Sequence, residues 1–192
     1  MSAKQKTEFR TSVLFSISFL IFILDQITKY LCNTYLNLGQ PVTVFPGFDL
    51  LLAYNSGAAF SFLSDAGGWQ RWLLTAFSSA ISLLLVFWIF RLPKTEKLAA
   101  LALCLILGGA WGNLYDRIFD GYVVDFISVY YKSYRFATFN IADSAVFLGA
   151  CLMMLDIFRN RPTSPQSVEN INTAELATED ETENIGNNKP HE

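Results

Sequence analysis

Four stretches of this chain are apolar over about the length that a helix needs to cross a bilayer: Val13 to Leu31, Trp72 to Phe90, Leu98 to Tyr115 and Phe139 to Phe158. Roughly 20 helical residues cover the hydrocarbon layer. A soluble four-helix bundle would keep a polar stripe along each helix at the 3.6-residue period, and the run Ile81 to Phe90 (ISLLLVFWIF) keeps none. The composition agrees, with 52% hydrophobic and only 16% charged residues, a low charge content for a soluble domain. The expected fold is therefore an all-α membrane bundle of four transmembrane helices.

The net charge of −3 says little about that bundle, because Glu169, Glu175, Glu179, Asp180, Glu181 and Glu183 crowd together near the C-terminus. We expect a membrane domain over residues 1–160 and a disordered, acidic, cytoplasmic tail over 161–192, too poor in large apolar groups to offset the entropy of ordering. Cys32, Cys104 and Cys151 are odd in number and imply no disulfide framework. The basic N-terminus, Lys4, Lys6 and Arg10, resembles the opening of a signal peptide, but no small-residue cleavage site follows. The segment reads as a retained first span.

Orientation follows from Lys and Arg, which short cytoplasmic loops retain. Lys4, Lys6 and Arg10, then Arg91, Lys94 and Lys97, then Arg159 and Arg161 all fall on one side, whereas the link from Cys32 to Gln70 has neither residue. Both termini should be cytoplasmic. The other exported link breaks the rule with Arg117, Lys132 and Arg135, an exception that suggests a function or a contact with lipid phosphates. In the first exported link, Val42 to Val44 and Phe48 to Tyr54 are β-prone and flank a Pro46-Gly47 turn, so a small exported β-sheet is expected. The second, through Tyr122 to Tyr131, has an aromatic and β-branched bias suited to the headgroup region.

Ionisable groups inside spans cost about 2.5–3.5 kcal/mol on insertion scales and are functional candidates by default. Asp25 and Lys29 are four apart and able to pair, either in support of a site or as an ion pair at the span's end. Asn113 and Arg117 repeat the spacing after the small residues Gly108, Gly109 and Ala110, which suit close helix packing; Arg117 can neutralise carboxylates or bind lipid phosphate. Asn55 opens a stretch of small residues and by itself reads as a turn. Asp125 sits among Val123, Val124, Phe126 and Ile127, and Asp143 starts the fourth span three residues after Asn140. Helix capping is the plain alternative for Asn140 and Asp143.

Apolar surroundings raise a carboxyl pKa, and two adjacent carboxyls resist ionising together, so they share one proton. An aspartic peptidase works that way: the ionised carboxyl takes a proton from water while its protonated partner polarises the scissile carbonyl. The sole histidine, His191, lies in the tail, which leaves no His for a nucleophilic couple or a zinc site, and no phosphate-binding loop or basic surface points to nucleotides or nucleic acid. No cofactor or metal is called for.

The chain resembles the lipoprotein signal peptidases (signal peptidase II) in five blocks: Asp25-Gln-Ile-Thr-Lys29, Asn55-Ser-Gly-Ala-Ala-Phe-Ser61, Gly108-Gly-Ala-Trp-Gly-Asn-Leu-Tyr-Asp-Arg117, Val123-Val-Asp-Phe126 and Phe139-Asn-Ile-Ala-Asp-Ser144. The resemblance implies a four-span aspartic peptidase of the bacterial cytoplasmic (inner) membrane, with Asp125 and Asp143 as the catalytic pair near the exported face. It implies that Asn55, Asn113, Arg117 and Asn140 line the site and that Asp25 and Lys29 support it. The implied substrate is a prolipoprotein bearing a diacylglyceryl group on its cysteine, cut just before that cysteine, and a monomer is expected to act. Trp111 and Tyr115 are larger than the family's aliphatic residues, and Arg135 to Thr138 lacks its common Trp-Pro. Two other classes stay open on the residues alone: a proton-coupled carrier, whose acids would spread through the bilayer depth, and a non-catalytic lipid-binding scaffold.

Overall fold

The structure, a computed structural model, describes residues 3–57 and 69–159, with side chains from residue 11 onward. The elements run α1 (Ala3–Tyr35), β1 (Pro41–Phe45), β2 (Phe48–Asn55), α2 (Trp69–Arg91), α3 (Lys97–Phe119), β3 (Val123–Tyr131), β4 (Tyr134–Arg135) and α4 (Ile141–Arg159). The chain divides into Met1–Asp156 and Ile157–Glu192. Of the second unit only Ile157–Arg159, the last turn of α4, is described, and the expected acidic tail lies outside the described residues.

All four apolar runs are helices long enough to span a membrane. α3 is the centre of the bundle: half of its most apolar window is buried, against 11%, 22% and 17% for α1, α2 and α4. Leu103, Cys104 and Leu107 of α3 pack with Leu85 and Ile89 of α2, and Leu14, Phe15 and Ile17 of α1 close the cluster. The outward faces carry Phe19, Leu20, Phe77, Leu83, Leu84, Phe147 and Leu148, all more than half exposed. Large apolar groups outside, with polar Ser18, Asp25 and Lys29 inside, is the arrangement a lipid solvent selects.

Small residues set how closely the helices approach. A Cβ on Gly108 would stand 2.6 Å from the Ser18 carbonyl oxygen of α1, and one on Gly109 would collide with the Ala142 carbonyl oxygen of α4. Ser18 Oγ also donates to the Cys104 carbonyl at 3.0 Å, an interhelical bond of the kind that replaces hydrophobic driving force in lipid.

At the end of the bundle where α1 and α3 finish and α4 begins, four antiparallel strands form a sheet in the order β1-β2-β3-β4. The expected Pro46-Gly47 turn joins β1 to β2, with Gly47 at φ +93°, a conformation that a Cβ disfavours. Between β2 and β3 the register slips: Leu50 faces Ile127 but Ala53 faces Asp125, so one strand has an extra residue beside the carboxylate. Such bulges re-aim side chains and recur beside active sites. β3 was not legible as a strand, because Val123 to Phe126 are all buried and show no alternation of polar and apolar residues. Helix α4 starts at Ile141 rather than Phe139, because Asn140 caps it.

Candidate active site

Asp125 is the third residue of β3 and is 3% exposed. Its Oδ1 accepts from Asn140 Nδ2 at 2.8 Å and its Oδ2 from Asn55 Nδ2 at 3.1 Å. Asp143 lies in the first turn of α4. Its Oδ1 accepts from Asn113 Nδ2 at 2.7 Å and its Oδ2 from the Asn140 backbone N–H at 3.3 Å, while its own N–H donates to Asn140 Oδ1 at 2.9 Å. The last two bonds form a reciprocal capping box, in a place where the helix dipole favours a negative charge. Capping and a shared site are thus built from the same residues.

Donor-only groups fix which way each amide points. Lys29 Nζ donates to Asn113 Oδ1 at 3.1 Å, and an ammonium cannot accept, so the Asn113 NH₂ must face Asp143. The Asp143 N–H occupies Asn140 Oδ1, which turns the Asn140 NH₂ toward Asp125 and, at 3.1 Å, Asn113 Oδ1. The Gly57 N–H donates to Asn55 Oδ1 at 3.1 Å, which turns the third NH₂ to Asp125. All three amides therefore aim donors at the two carboxylates.

Beneath this layer the expected pairing of Asp25 with Lys29 is present at 2.6 Å, and Lys29 also pairs with Asp116 at 2.7 Å. Asp25 Oδ1 accepts from the Ala142 N–H of α4 at 2.8 Å, and Asp116 Oδ2 from the Val124 N–H of β3 at 3.3 Å. Gln26 Nε2 donates to Asp116 Oδ1 at 2.8 Å. These side chains fasten α1 and α3 to the strand bearing Asp125 and to the helix bearing Asp143. Sequence reasoning missed Asp116 and Gln26. Asp116 carried the same signal as Arg117, an ionisable group within a span, three residues after Asn113.

Arg117 is tied to its own helix by a 3.3 Å bond from Nη1 to the Asn113 carbonyl. Its charge is felt by Asp143, Asp116 and Asp125 in that order, with no ion pair to any of them among the described residues. Arg71, also missed, donates from Nε to the Arg117 carbonyl at 2.7 Å and from Nη2 to that of Ile118 at 2.6 Å, capping the end of α3 from α2.

Burial, reinforced by the charge of Asp143, raises the Asp125 carboxyl from 3.8 to about 7 against the opposing bonds from Asn55 and Asn140. Asp125 borders a cleft of about 420 Å³ lined by Ala53, Tyr54 and Asn55 of β2 and by Tyr134 to Thr138 of β4 and the link after it, a volume within the range of small-ligand sites. Among the described residues no group of three or more His, Cys, Asp or Glu is placed to hold a metal ion.

Four membrane-length helices and a sheet, with Asp125 and Asp143 joined through one amide network at their junction, define a multi-pass membrane protein. The family model for signal peptidase (SPase) II matches residues 17–159, and the chain belongs to that family. The lipoprotein signal peptidase of Acinetobacter baumannii is 54% identical over 142 residues, covering 74% of this chain and 81% of that protein. Those of Teredinibacter turnerae and Alteromonas mediterranea are 51% and 47% identical, covering 74% and 75% of this chain and 84% and 79% of theirs. A bacterial membrane enzyme solved by the in meso method at 2.3 Å has a TM-score of 0.69 at 29% identity, covering 80% of this chain and 94% of that one.

Proposed function

We propose that the protein is an aspartic endopeptidase that removes the signal peptide from diacylglyceryl-modified prolipoproteins, cutting just before the lipidated cysteine. Family membership supports the peptidase class, and the names of the relatives support the lipoprotein substrate. The observation that carries the catalytic assignment is Asn140, which donates to Asp125 from its side chain at 2.8 Å and to Asp143 from its backbone at 3.3 Å.

In this reading Asp125, buried and raised to about 7, holds the proton, and Asp143, in the first turn of α4, is the base. Asp143 takes a proton from water as its oxygen adds to the scissile carbonyl, and Asp125 gives its proton to the carbonyl oxygen. Collapse of the tetrahedral intermediate breaks the C–N bond, the nitrogen takes a proton from Asp143, and the new carboxyl returns one to Asp125. Asn55, Asn113 and Asn140 hold the two acids in place, and Asp25 and Lys29 hold the elements that carry them. The Arg117 guanidinium, close enough to feel Asp143, Asp116 and Asp125, offsets the network's negative charge.

The basic residues at one end of the spans support cytoplasmic termini and a site near the exported face of the bacterial inner membrane. A complete network within one chain supports a monomer. In lipid, the purified protein should cut a diacylglyceryl-modified precursor and leave a product that begins with the lipidated cysteine, read by mass spectrometry. Equal cleavage of the unlipidated precursor, or none of either, would overturn the assignment.

A further inference from the structure

One of the basic residues that break the charge rule has work unrelated to the carboxylate network. Arg135, on the short strand β4, extends across β3 to β2: its Nη2 lies 2.7 Å from Asp49 Oδ2, its Nη1 donates to Ser128 Oγ at 2.5 Å, and its guanidinium stacks 5.0 Å over the Tyr130 ring. The strand register places these groups together, since Asp49 faces Ser128 and Tyr130 faces Arg135. Asp49 and Ser128 are 2% and 0% exposed.

One end of this bridge lines the cleft, and the other lies on the strand whose later residues line it. Asp49 is on the strand that continues into Ala53, Tyr54 and Asn55, whereas Arg135 is part of the Tyr134 to Thr138 wall. That second wall has little else to hold it. β4 has two residues, its turn places Lys132 at φ 54°, and beyond it the Phe136 N–H to Val129 carbonyl bond of 2.9 Å is followed by the bridge at Phe139.

We propose that Arg135 is a positioning residue for the substrate: by bridging to Asp49 it holds the Tyr134 to Thr138 wall at a fixed distance from Ala53 to Asn55, and so sets the grip of the cleft on the precursor peptide. The inference rests on the peptidase reading for its substrate, but the bridge itself is geometric. Arg135 keeps Asp49 below the ordinary carboxylate range against the effect of burial, which makes the cation the favoured partner of this buried acid. The Arg135 side chain is 38% exposed, so solvent screens the pair and the effect is graded rather than absolute.

The test uses the full chain in vesicles of phosphatidylcholine, with kcat and KM measured on a lipidated precursor for the parent, Arg135→Gln, Asp49→Asn, their double variant and Arg135→Lys. Each single variant should raise KM by roughly threefold to tenfold with kcat within about twofold. The double variant should be no worse than either single one, because both remove one interaction. Arg135→Lys should recover part of the loss, since a point charge reaches Asp49 but lacks the fork that also serves Ser128. A KM that rises for Arg135→Gln but not for Asp49→Asn would mean that Arg135 touches substrate or lipid by itself, and would overturn the proposal. So would a loss confined to kcat.

A second measurement does not depend on activity. A cysteine introduced as Ala137→Cys should react faster with a water-soluble maleimide when Arg135→Gln or Asp49→Asn is added. An unchanged rate rejects the bridge even if the precursor is cleaved, whereas a faster rate with no cleavage by the parent would retain the bridge and reject the peptidase reading.

Discussion

Asn140 shows how little separates a structural residue from a functional one at this site. It caps α4 through Oδ1, and the same constraint turns its NH₂ onto Asp125. The sequence pattern Asn-x-x-Asp was legible both as a cap and as part of a site; the structure has the cap, and the capping amide also donates to Asp125. Asp116 and Gln26 escaped notice because their task, anchoring Lys29 and the start of β3, depends on which elements meet. Lys29 is 3% exposed between two carboxylates, so Lys29→Met would leave Asp25 and Asp116 buried without a counter-charge. The expected cost is about 3–5 kcal/mol, seen as a lower denaturation midpoint in detergent. For Asp125 the sign of the pH effect follows from a folded pKa of about 7 raised from 3.8. Its contribution to stability is fully present below 3.8 and is lost as pH rises through about 7. The melting temperature should fall as pH rises from 3.8 toward about 7 and level off above it, kcat/KM should fall above about 7, and Asp125→Asn should remove that fall in melting temperature.

At the level of elements, the four spans and the β1–β2 hairpin were readable because each is a local pattern: uniform apolarity over a membrane's thickness, or a Pro-Gly turn between β-prone stretches. β3 was not, because its first four residues are buried and only pairing with β2 defines it. The glycines of α3 were read as packing residues, and the structure gives them specific neighbours. A Cβ on Gly112 would collide with the Asp25 carboxylate and lie 3.1 Å from Ala142 Cβ. Gly112→Ala should therefore push α1 away from α4 and weaken the bond from the Ala142 N–H to Asp25. The overpacking cost is about 1–3 kcal/mol, measurable as a drop in melting temperature together with a loss of activity.

For the whole molecule, the helices form the frame and the sheet sits at one end of it, so that Asp25, Asn55, Asn113, Asp125 and Asp143, distant in sequence, meet in one network. The charge distribution that oriented the spans predicts a cytoplasmic C-terminus, checked with a C-terminal reporter that is active only inside the cell; an inserted full-length fusion with no reporter activity would reverse the topology. The central claim is that Asp125 and Asp143 act as one catalytic unit. Its most direct measurement is the rate at which Asp125→Asn and Asp143→Asn, each inserted and folded in lipid, process a diacylglyceryl-modified precursor. Each variant should lose activity by a factor on the order of 10³ or more, and the double variant should lose little beyond that. Cleavage by either single variant at the parental rate would contradict the account.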